Sequence, residues 1–502
     1  MFSSAGHETT TFGDVTQMFA GAKSNMIIQL DNHFANRVYT SSSPISGHAK
    51  IQVSKDTSFD KVNILFLGTT KTRMDGVRAP HSTSHTFLKL EMPIEASSYP
   101  INKVFRAGQI YDIPFNFVVP NHLTINACNH KVDSPAVHDS HLILPPSMGP
   151  WGSLDDMAPE MARVDYSVVA RVLADEDRSG KHARILEASQ QIRVLPAHAE
   201  QPPLAISPRD TLYKMSKSKT LRKSLLSGKI GKVTVSARQP SAIMLSPDGA
   251  SASKTHALVD LVFDPASAQS LPPTITSVST KVTATTYYCS GAIDSFPNMG
   301  DWLRIYGADG RGSYPSTTSI STTQIDKCNW QQNLIGETRR ASTYSADTVS
   351  TNGSEILSDT DRSSQGGDRR GSNASSKYAS PIYHTARVKV PVELPTHRKT
   401  FIPSFHSCIA SRAYLLWITV SMSCSGNNYN VMMSVPLQVG VEPAGASLLE
   451  SLEPPSFETA VQEAEIDEFL RPRSLVMPNV AFERHALPGY ADLMAGRMVV
   501  AN

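Results

Sequence analysis

Apolar and polar residues alternate along most of this chain, with a repeat of two residues rather than 3.6. The alternation is clearest in residues 164–174, 388–394 and 431–441. A two-residue repeat is typical of strands that bury one face. Many short strands, broken by Pro, Gly and Asn, predict an all-β chain of β-sandwiches rather than an α/β fold. Further stretches of the same kind are residues 49–53, 62–67, 111–119, 278–288 and 416–424.

The predicted strands fall into two groups, here called the N-terminal block and the C-terminal block. A basic stretch between them, residues 209–232, holds many lysines and arginines against one acid, Asp210, and its apolar residues allow a helix. Residues 336–380 are rich in Ser, Thr, Asp, Arg and Gly, so they bury too little apolar surface to order, and they predict a disordered insertion. The expected order is a flexible N-terminus (1–24), the N-terminal block (25–200), a basic linker (201–230), the C-terminal block (231–441) with its insertion, and an acidic, largely flexible tail (442–502).

Composition narrows the function classes. The chain has 502 residues with 47 Lys plus Arg against 45 Asp plus Glu, and a net charge of +2 argues against a nucleic-acid binder. Five cysteines without a C-x-x-C pair form neither a secreted disulfide framework nor a standard zinc module. The N-terminal residues lack the pattern of a signal peptide, and no apolar stretch is long enough to span a membrane. We therefore expect a cytoplasmic protein with reduced thiols.

The motifs of common enzymes are absent from the sequence. It contains no G-x-S-x-G, no G-x-x-x-x-G-K-[ST] and no H-E-x-x-H, so we expect no catalytic activity and no cofactor. A Ser/His/Asp triad that assembles only in space leaves a hydrolase as a remote alternative. One loop groups potential metal ligands in a spacing that matches no standard site, so we expect a hydrated or capping role and no metal. Its residues are Cys128, His130, Asp133, His138, Asp139 and His141.

Three groups of residues could bind partner molecules. Two arginines precede Ser342 and Ser372 in the pattern that basophilic kinases prefer, and a phosphate there could bind a phosphoserine-reading adaptor. Lysines of the basic stretch could contact anionic lipid or accept ubiquitin, although a solvated linker explains them as well. The tail carries L-P-G-Y, which fits a WW domain, and P-P-S-F, a weaker form of the same motif. These residues are Lys214, Lys217, Lys219 and Lys223 in the basic stretch, and Pro454, Pro455, Phe457, Leu487, Pro488, Gly489 and Tyr490 in the tail.

Several of these segments together resemble the arrestin family. Residues 105–120 (FRAGQIYDIPFNFVVP) resemble the signature of the arrestin N-terminal domain, and residues 39–53 (YTSSSPISGHAKIQV) are similar to its upstream strand pair. Residues 401–416 (FIPSFHSCIASRAYLL), followed by S-V-P-L-Q-V, resemble the arrestin C-terminal domain. The tail motifs lie where α-arrestins carry WW-binding motifs, and residues 141–149 (HLILPPSMG) resemble fungal members.

The resemblance implies two tandem arrestin-type, immunoglobulin-like β-sandwiches and an adaptor function. Such a protein would link plasma-membrane transporters or receptors to a HECT-type ubiquitin ligase, for ubiquitination and endocytosis, and would be recruited to the plasma membrane and endosomes. The chain departs from the family because it has no intact P-P-x-Y, so ligase binding would depend mainly on Leu487, Pro488 and Tyr490. The alternative is a non-catalytic cargo-sorting subunit of an endosomal coat complex.

Overall fold

The structure, a computed structural model, describes residues 24–75, 80–150, 154–176, 182–224, 228–300, 302, 310–334 and 382–444. Most of these residues lie in β-strands, which confirms the all-β prediction. The described helical elements are one α-helix, α1 (Pro135–His141), and two short 3-10 turns, Ala96–Ser98 and Ile125–Ala127. None of the described helices has the length and apolar character needed to cross a membrane. The predictions made for residues 1–23, 336–380 and 445–502 concern segments outside the described residues.

The N-terminal block is built from two sheets that enclose one hydrophobic core. One sheet has the antiparallel order β1-β3-β8, and the other has the order β2-β10-β9-β5-β6, in which the short β2 runs parallel to β10. Phe66 of the second sheet lies 6.0 Å from Phe117 of the first, measured between ring centroids. The strands are β1 (Asn25–Leu30), β2 (Val38–Tyr39), β3 (Pro44–Gln52), β4 (Thr57–Ser58), β5 (Lys61–Met74), β6 (His81–Glu91), β7 (Val104–Phe105), β8 (Ile110–Val118), β9 (Ala162–Glu176) and β10 (His182–Val194).

The C-terminal block repeats this sandwich-like arrangement around a second core. One sheet has the order β11-β12-β14-β18-β17, and the other has the order β16-β15-β20-β19, with β21 also paired to β20. A short parallel pair, β13 and β22, lies beside them. The strands are β11 (Ser216–Arg222), β12 (Lys229–Ala237), β13 (Ile243–Leu245), β14 (Thr255–Pro265), β15 (Thr274–Cys289), β16 (Arg311–Gln324), β17 (Gln331–Leu334), β18 (Ile382–Val392), β19 (Phe405–His406), β20 (Ala410–Cys424), β21 (Asn427–Leu437) and β22 (Val439–Val441).

The predicted alternation is confirmed residue by residue in β18. Val388 and Val390 are buried in the C-terminal core, and Lys389 between them is exposed. Successive side chains of a strand point to opposite faces, so one face of β18 packs on the core and the other meets solvent. The neighbouring β14 pairs with β18 in antiparallel register and shows a similar alternation, with Val259 opposite Val388.

The basic stretch differs from its expected form. Its apolar residues allow a helix, but Ser216–Arg222 forms β11, which pairs antiparallel with β12. Part of the segment expected to be a linker is therefore the first strand of the C-terminal block. Leu221 is fully buried in the C-terminal core, and pairing with β12 satisfies main-chain groups on one side of the strand. Tertiary pairing has outweighed the local pattern here, as it does for short segments with weak periodicity.

Candidate functional site

The two blocks meet at a junction that is rich in polar contacts. Thr72 Oγ1 of β5 donates a 2.8 Å hydrogen bond to the main-chain oxygen of Cys289 in β15. Thr83 Oγ1 of β6 donates in the same way to Ser290, at 2.9 Å. The Lys399 ammonium lies 2.6 Å from the Asp155 carboxylate, and this contact lowers the pKa of Asp155. The chain thus joins its two sandwiches through directional bonds as well as apolar packing.

Arg412 contributes to this junction and is fully buried. It is the third residue of β20, in the part of the strand that is covered on both faces. Its Nε donates to Thr286 Oγ1 at 3.0 Å, and its Nη1 donates to the main-chain oxygen of Asp156 at 3.1 Å. A buried cation must be hydrogen-bonded to offset its lost hydration, so these partners are part of what makes its burial tolerable.

Beside the junction, the fold brings four metal-binding side chains together. They are Cys128, His130, His141 and Cys408, and their donor atoms all lie within 4.8 Å of one another. Cys128 follows the turn at Ile125–Ala127, and His141 is the last residue of α1. Cys408 comes from the C-terminal block, between β19 and β20. Three donors therefore belong to one block and the fourth to the other.

The Cys128 sulfur lies close to both histidines of the cluster. It lies 3.5 Å from His130 Nε2 and 3.5 Å from His141 Nδ1. Cys128, His141 and Cys408 are buried, and His130 is partly exposed. All five cysteines of the chain, these two included, are free thiols in the structure.

Local structure explains how α1 presents His141. Ser134 caps the helix, and its side chain accepts a hydrogen bond from Val137 N. Pro135 occupies the first turn, where its missing N–H costs nothing and its fixed φ suits a helix. Asp133 N donates to the main-chain oxygen of Asp294 at 2.8 Å, which anchors the helix start to the C-terminal block. The short helix therefore holds His141 in a fixed position facing that block.

Burial shifts the protonation of two members of the cluster, His141 and Cys408. Burial, with smaller contributions from His130 and other nearby histidines, lowers the pKa of His141 to about 3. Burial, with a smaller contribution from Cys128, raises the pKa of Cys408 to about 12. At neutral pH the His141 ring is therefore uncharged and keeps a lone pair, which is the form that binds a metal.

A cavity of about 390 Å³ is bounded by residues of both blocks. The N-terminal block contributes residues of α1 to its wall, including Ala136 and Ser140. The C-terminal block contributes Phe405, His406 and Pro436, among others. Its wall is mostly apolar, so the cavity suits an apolar group better than a charged one.

The lysines singled out from the sequence all lie exposed along or beside β11. Lys217 and Lys219 stand opposite Val235 and Val233 in the register with β12. Those valines are fully buried, so the two lysines point to the core side of the sheet at its open edge. Lysines in this position hinder pairing of the edge with another chain. The main chain of Lys214 bridges to Ser434, and Lys223 lies just after the strand.

The strand β16 forms another sheet edge, and it lacks the lysines that β11 carries. It pairs with β15 along its length, and no described strand pairs with its other side. After Arg311, its remaining residues carry no charge and are mostly Ser and Thr. A long edge without charged side chains is open to pairing with an added strand. The two edges therefore differ in charge, and β16 lacks the lysines that hinder pairing at β11.

The structure separates residues that the sequence grouped and adds one that it missed. His138 and Asp139 lie in α1 and Asp133 lies just before it, but none of the three is among the four donors. Cys408 is added from more than 250 positions away. Nothing in the local sequence marks Cys408 as a metal ligand, although it lies within residues 401–416, the segment that resembles the arrestin C-terminal domain. The tail residues Pro454, Pro455, Phe457, Leu487, Pro488, Gly489 and Tyr490, and the serines Ser342 and Ser372, lie outside the described residues.

The comparisons with family models and with curated proteins supply no relative on which to base a function. No family model matches the chain, and a search of curated proteins finds no match.

Proposed function

We propose that this chain is a non-catalytic, arrestin-like adaptor. It would link transporters or receptors of the plasma membrane to a HECT-type ubiquitin ligase, so that the cargo is ubiquitinated and internalised. The family-like segments at residues 39–53, 105–120 and 401–416 support this role, as does the presence of two successive sandwich-like blocks. The adaptor would act by bringing its two partners together, with no chemistry of its own.

The uncharged edge of β16 is the observation that carries the cargo-binding half of the proposal. An extended peptide can add to such an edge through main-chain hydrogen bonds, and side chains then tune its specificity. The cytosolic tail of a membrane protein is a suitable peptide because it is accessible and can become extended. Small Ser and Thr side chains along β16 leave room for varied tail residues.

The tail motifs support the second part of the proposal, which is binding of the ligase. Leu487-Pro488-Gly489-Tyr490 supplies a proline and a tyrosine for a WW domain, and Pro454-Pro455-Ser456-Phe457 supplies a second, weaker motif. Two weak motifs on one chain can engage a ligase with several WW domains at high effective concentration. Membrane recruitment would then follow from the cargo and from the exposed lysines of β11.

Ligase binding is tested with purified full-length protein and isolated WW domains. Tyr490→Ala should weaken binding at least tenfold, and the double variant with Phe457→Ala should abolish it. Phe482→Ala removes an aromatic side chain from the same tail outside both motifs, and it should bind like the wild type. If the double variant still binds as tightly as Phe482→Ala, the tail motifs do not recruit the ligase.

Cargo binding is tested by placing lysines on the β16 edge, as β11 carries them on its own edge. Ser319 and Thr322 are exposed on β16, and replacing both with Lys should weaken binding of transporter-tail peptides, measured by fluorescence anisotropy, about tenfold or more. The matched control adds the same two charges to the other edge, with Ser218→Lys and Thr220→Lys at exposed positions of β11, and should leave peptide binding unchanged. Equal binding by both double variants would place the cargo elsewhere on the molecule.

A further inference from the structure

We infer that Cys128, His130, His141 and Cys408 bind one Zn²⁺ ion in tetrahedral coordination, and that this ion ties the N-terminal block to the C-terminal block. The inference does not depend on the adaptor role, because it follows from the geometry of the four side chains. The spacing of Cys128, His130 and His141 matches no standard metal site and suggested a loop without a metal. The present inference revises that expectation.

The donor set selects the metal. Two thiolates and two imidazoles are the ligands of many closed, four-coordinate structural zinc sites. Calcium and magnesium prefer oxygen ligands, and the cluster contains none. With four protein donors the coordination shell is complete, which is typical of structural sites rather than catalytic ones.

The distances fit an ion at the centre. A tetrahedron with Zn–S of about 2.3 Å and Zn–N of about 2.0 Å separates sulfur from nitrogen by about 3.5 Å. The Cys128 sulfur lies 3.5 Å from His130 Nε2 and 3.5 Å from His141 Nδ1. The largest separation between any two donor atoms, at most 4.8 Å, requires only small side-chain movements to close the site.

The ring of His130 is oriented as a metal ligand usually is. Its Nδ1 donates to the main-chain oxygen of Lys131 at 3.1 Å, which leaves Nε2 as the lone-pair nitrogen on the side of Cys128. A hydrogen bond from the ring nitrogen that does not bind the metal fixes the tautomer of a ligating histidine. His130 is also the partly exposed member of the cluster, so it provides the entry path for the ion.

Binding would change the charge and the strength of the junction. Two thiol protons would leave to solvent as Cys128 and Cys408 become thiolates, and the resulting Zn(Cys)₂(His)₂ unit would be neutral. Cys408 is firmly held, because its main-chain oxygen accepts a 2.7 Å hydrogen bond from Ile293 N. The ion would therefore join α1 and its loop to the start of β20 in a fixed geometry.

Metal content of the full-length protein is the direct test. The protein is purified under reducing conditions, and zinc is measured by elemental analysis. We expect about one zinc per chain in the wild type and at least a tenfold lower content in Cys128→Ser and Cys408→Ser. The matched control is Cys289→Ser, a buried thiol of the C-terminal block outside the cluster, which should keep its zinc.

Two further measurements on the wild type do not require the variants to fold. Replacement of zinc by Co²⁺ should give the visible absorption of a tetrahedral site with thiolate ligands. Removal of the metal with a strong chelator should lower the thermal midpoint by roughly 5 °C or more, and added zinc should restore it.

The inference fails if reduced wild-type protein neither carries zinc nor gives the cobalt spectrum. It also fails if mass spectrometry finds a Cys128–Cys408 disulfide under the same conditions, or if Cys128→Ser and Cys289→Ser retain equal zinc. None of these results would bear on the tail motifs or on β16, so the adaptor proposal is judged separately.

Discussion

The Arg412 guanidinium donates a 3.1 Å hydrogen bond to the main-chain oxygen of Asp156, and this bond joins the C-terminal block to the N-terminal block. The Asp156 carboxylate is itself held in place, accepting hydrogen bonds from Gly149 N and Ala158 N. A buried arginine bonded to a rigid loop fixes the relative position of the two sandwiches at this point. Small sideways movements of one block would break this bond and leave the buried Nη1 group of Arg412 without its acceptor.

Arg412→Met should destabilise the protein by about 3 kcal/mol, because it leaves Thr286 and the Asp156 oxygen without their donor in a buried site. Denaturation with guanidinium chloride measures the change. Arg387→Met is the matched control: Arg387 pairs with Asp260 on the surface, and such exposed pairs contribute less than about 1 kcal/mol. Similar losses in the two variants would contradict a special role for the buried arginine.

Stability should decrease as the pH is lowered below about 6.5, and His198 is one of the buried histidines that contribute to this loss. Burial lowers the pKa of His198 to about 4, from 6.5 in the unfolded chain, and its Nε2 has no described partner. Above pH 6.5 both states are neutral, so the histidine contributes no pH dependence. Between about pH 6.5 and 4 the unfolded chain binds the proton first, and folding loses about 1.4 kcal/mol per pH unit from this group.

The His198→Gln variant tests this slope by denaturant titrations at pH 7, 6 and 5. It should flatten the pH dependence by about 1 kcal/mol per unit in this window, whatever its effect at pH 7. His256→Gln changes an exposed histidine of β14 and should leave the wild-type slope unchanged. A wild-type slope in the His198 variant would show that the buried ring is not the titrating group.

Gly47→Ala should disrupt the first sheet of the N-terminal block. A Cβ on Gly47 would overlap the main-chain oxygen of Gln29 in β1 and come within 2.9 Å of the Phe115 ring. Since backbone cannot easily move away, we expect a loss of about 2 kcal/mol or more, seen as a lower thermal midpoint. At Gly228 an added Cβ meets nothing within 4 Å, so Gly228→Ala should change stability by less than about 0.5 kcal/mol.

Charge reversal in β11 should weaken contact with anionic membranes. Each lysine near such a surface contributes about 1 kcal/mol, so Lys217→Glu with Lys219→Glu should reduce co-sedimentation with phosphatidylserine vesicles at least tenfold. The effect should shrink at high salt. The control reverses two exposed lysines of the N-terminal block, Lys55 and Lys89, and an equal loss there would indicate attraction by net charge alone.

The sequence by itself determined the class of fold. Alternation in residues 388–394 predicts a one-sided strand, and β18 is that strand, because the pleat sends successive side chains to opposite faces. Local pattern was insufficient for residues 216–222, whose lysines and single buried leucine, Leu221, do not alternate clearly. That segment became a strand only because β12 offers a free edge and the core accepts Leu221.

Only the tertiary structure decided the candidate metal site and the buried junction. Cys128, His130 and His141 are visible as a group in the sequence, but the fourth donor, Cys408, reaches them through the packing of one sandwich on another. Arg412 likewise gives no sign of burial in its local pattern, since its partners Thr286 and Asp156 are distant in sequence. Periodicity reports which face of a strand is covered, whereas contacts between blocks depend on how whole sheets fit together.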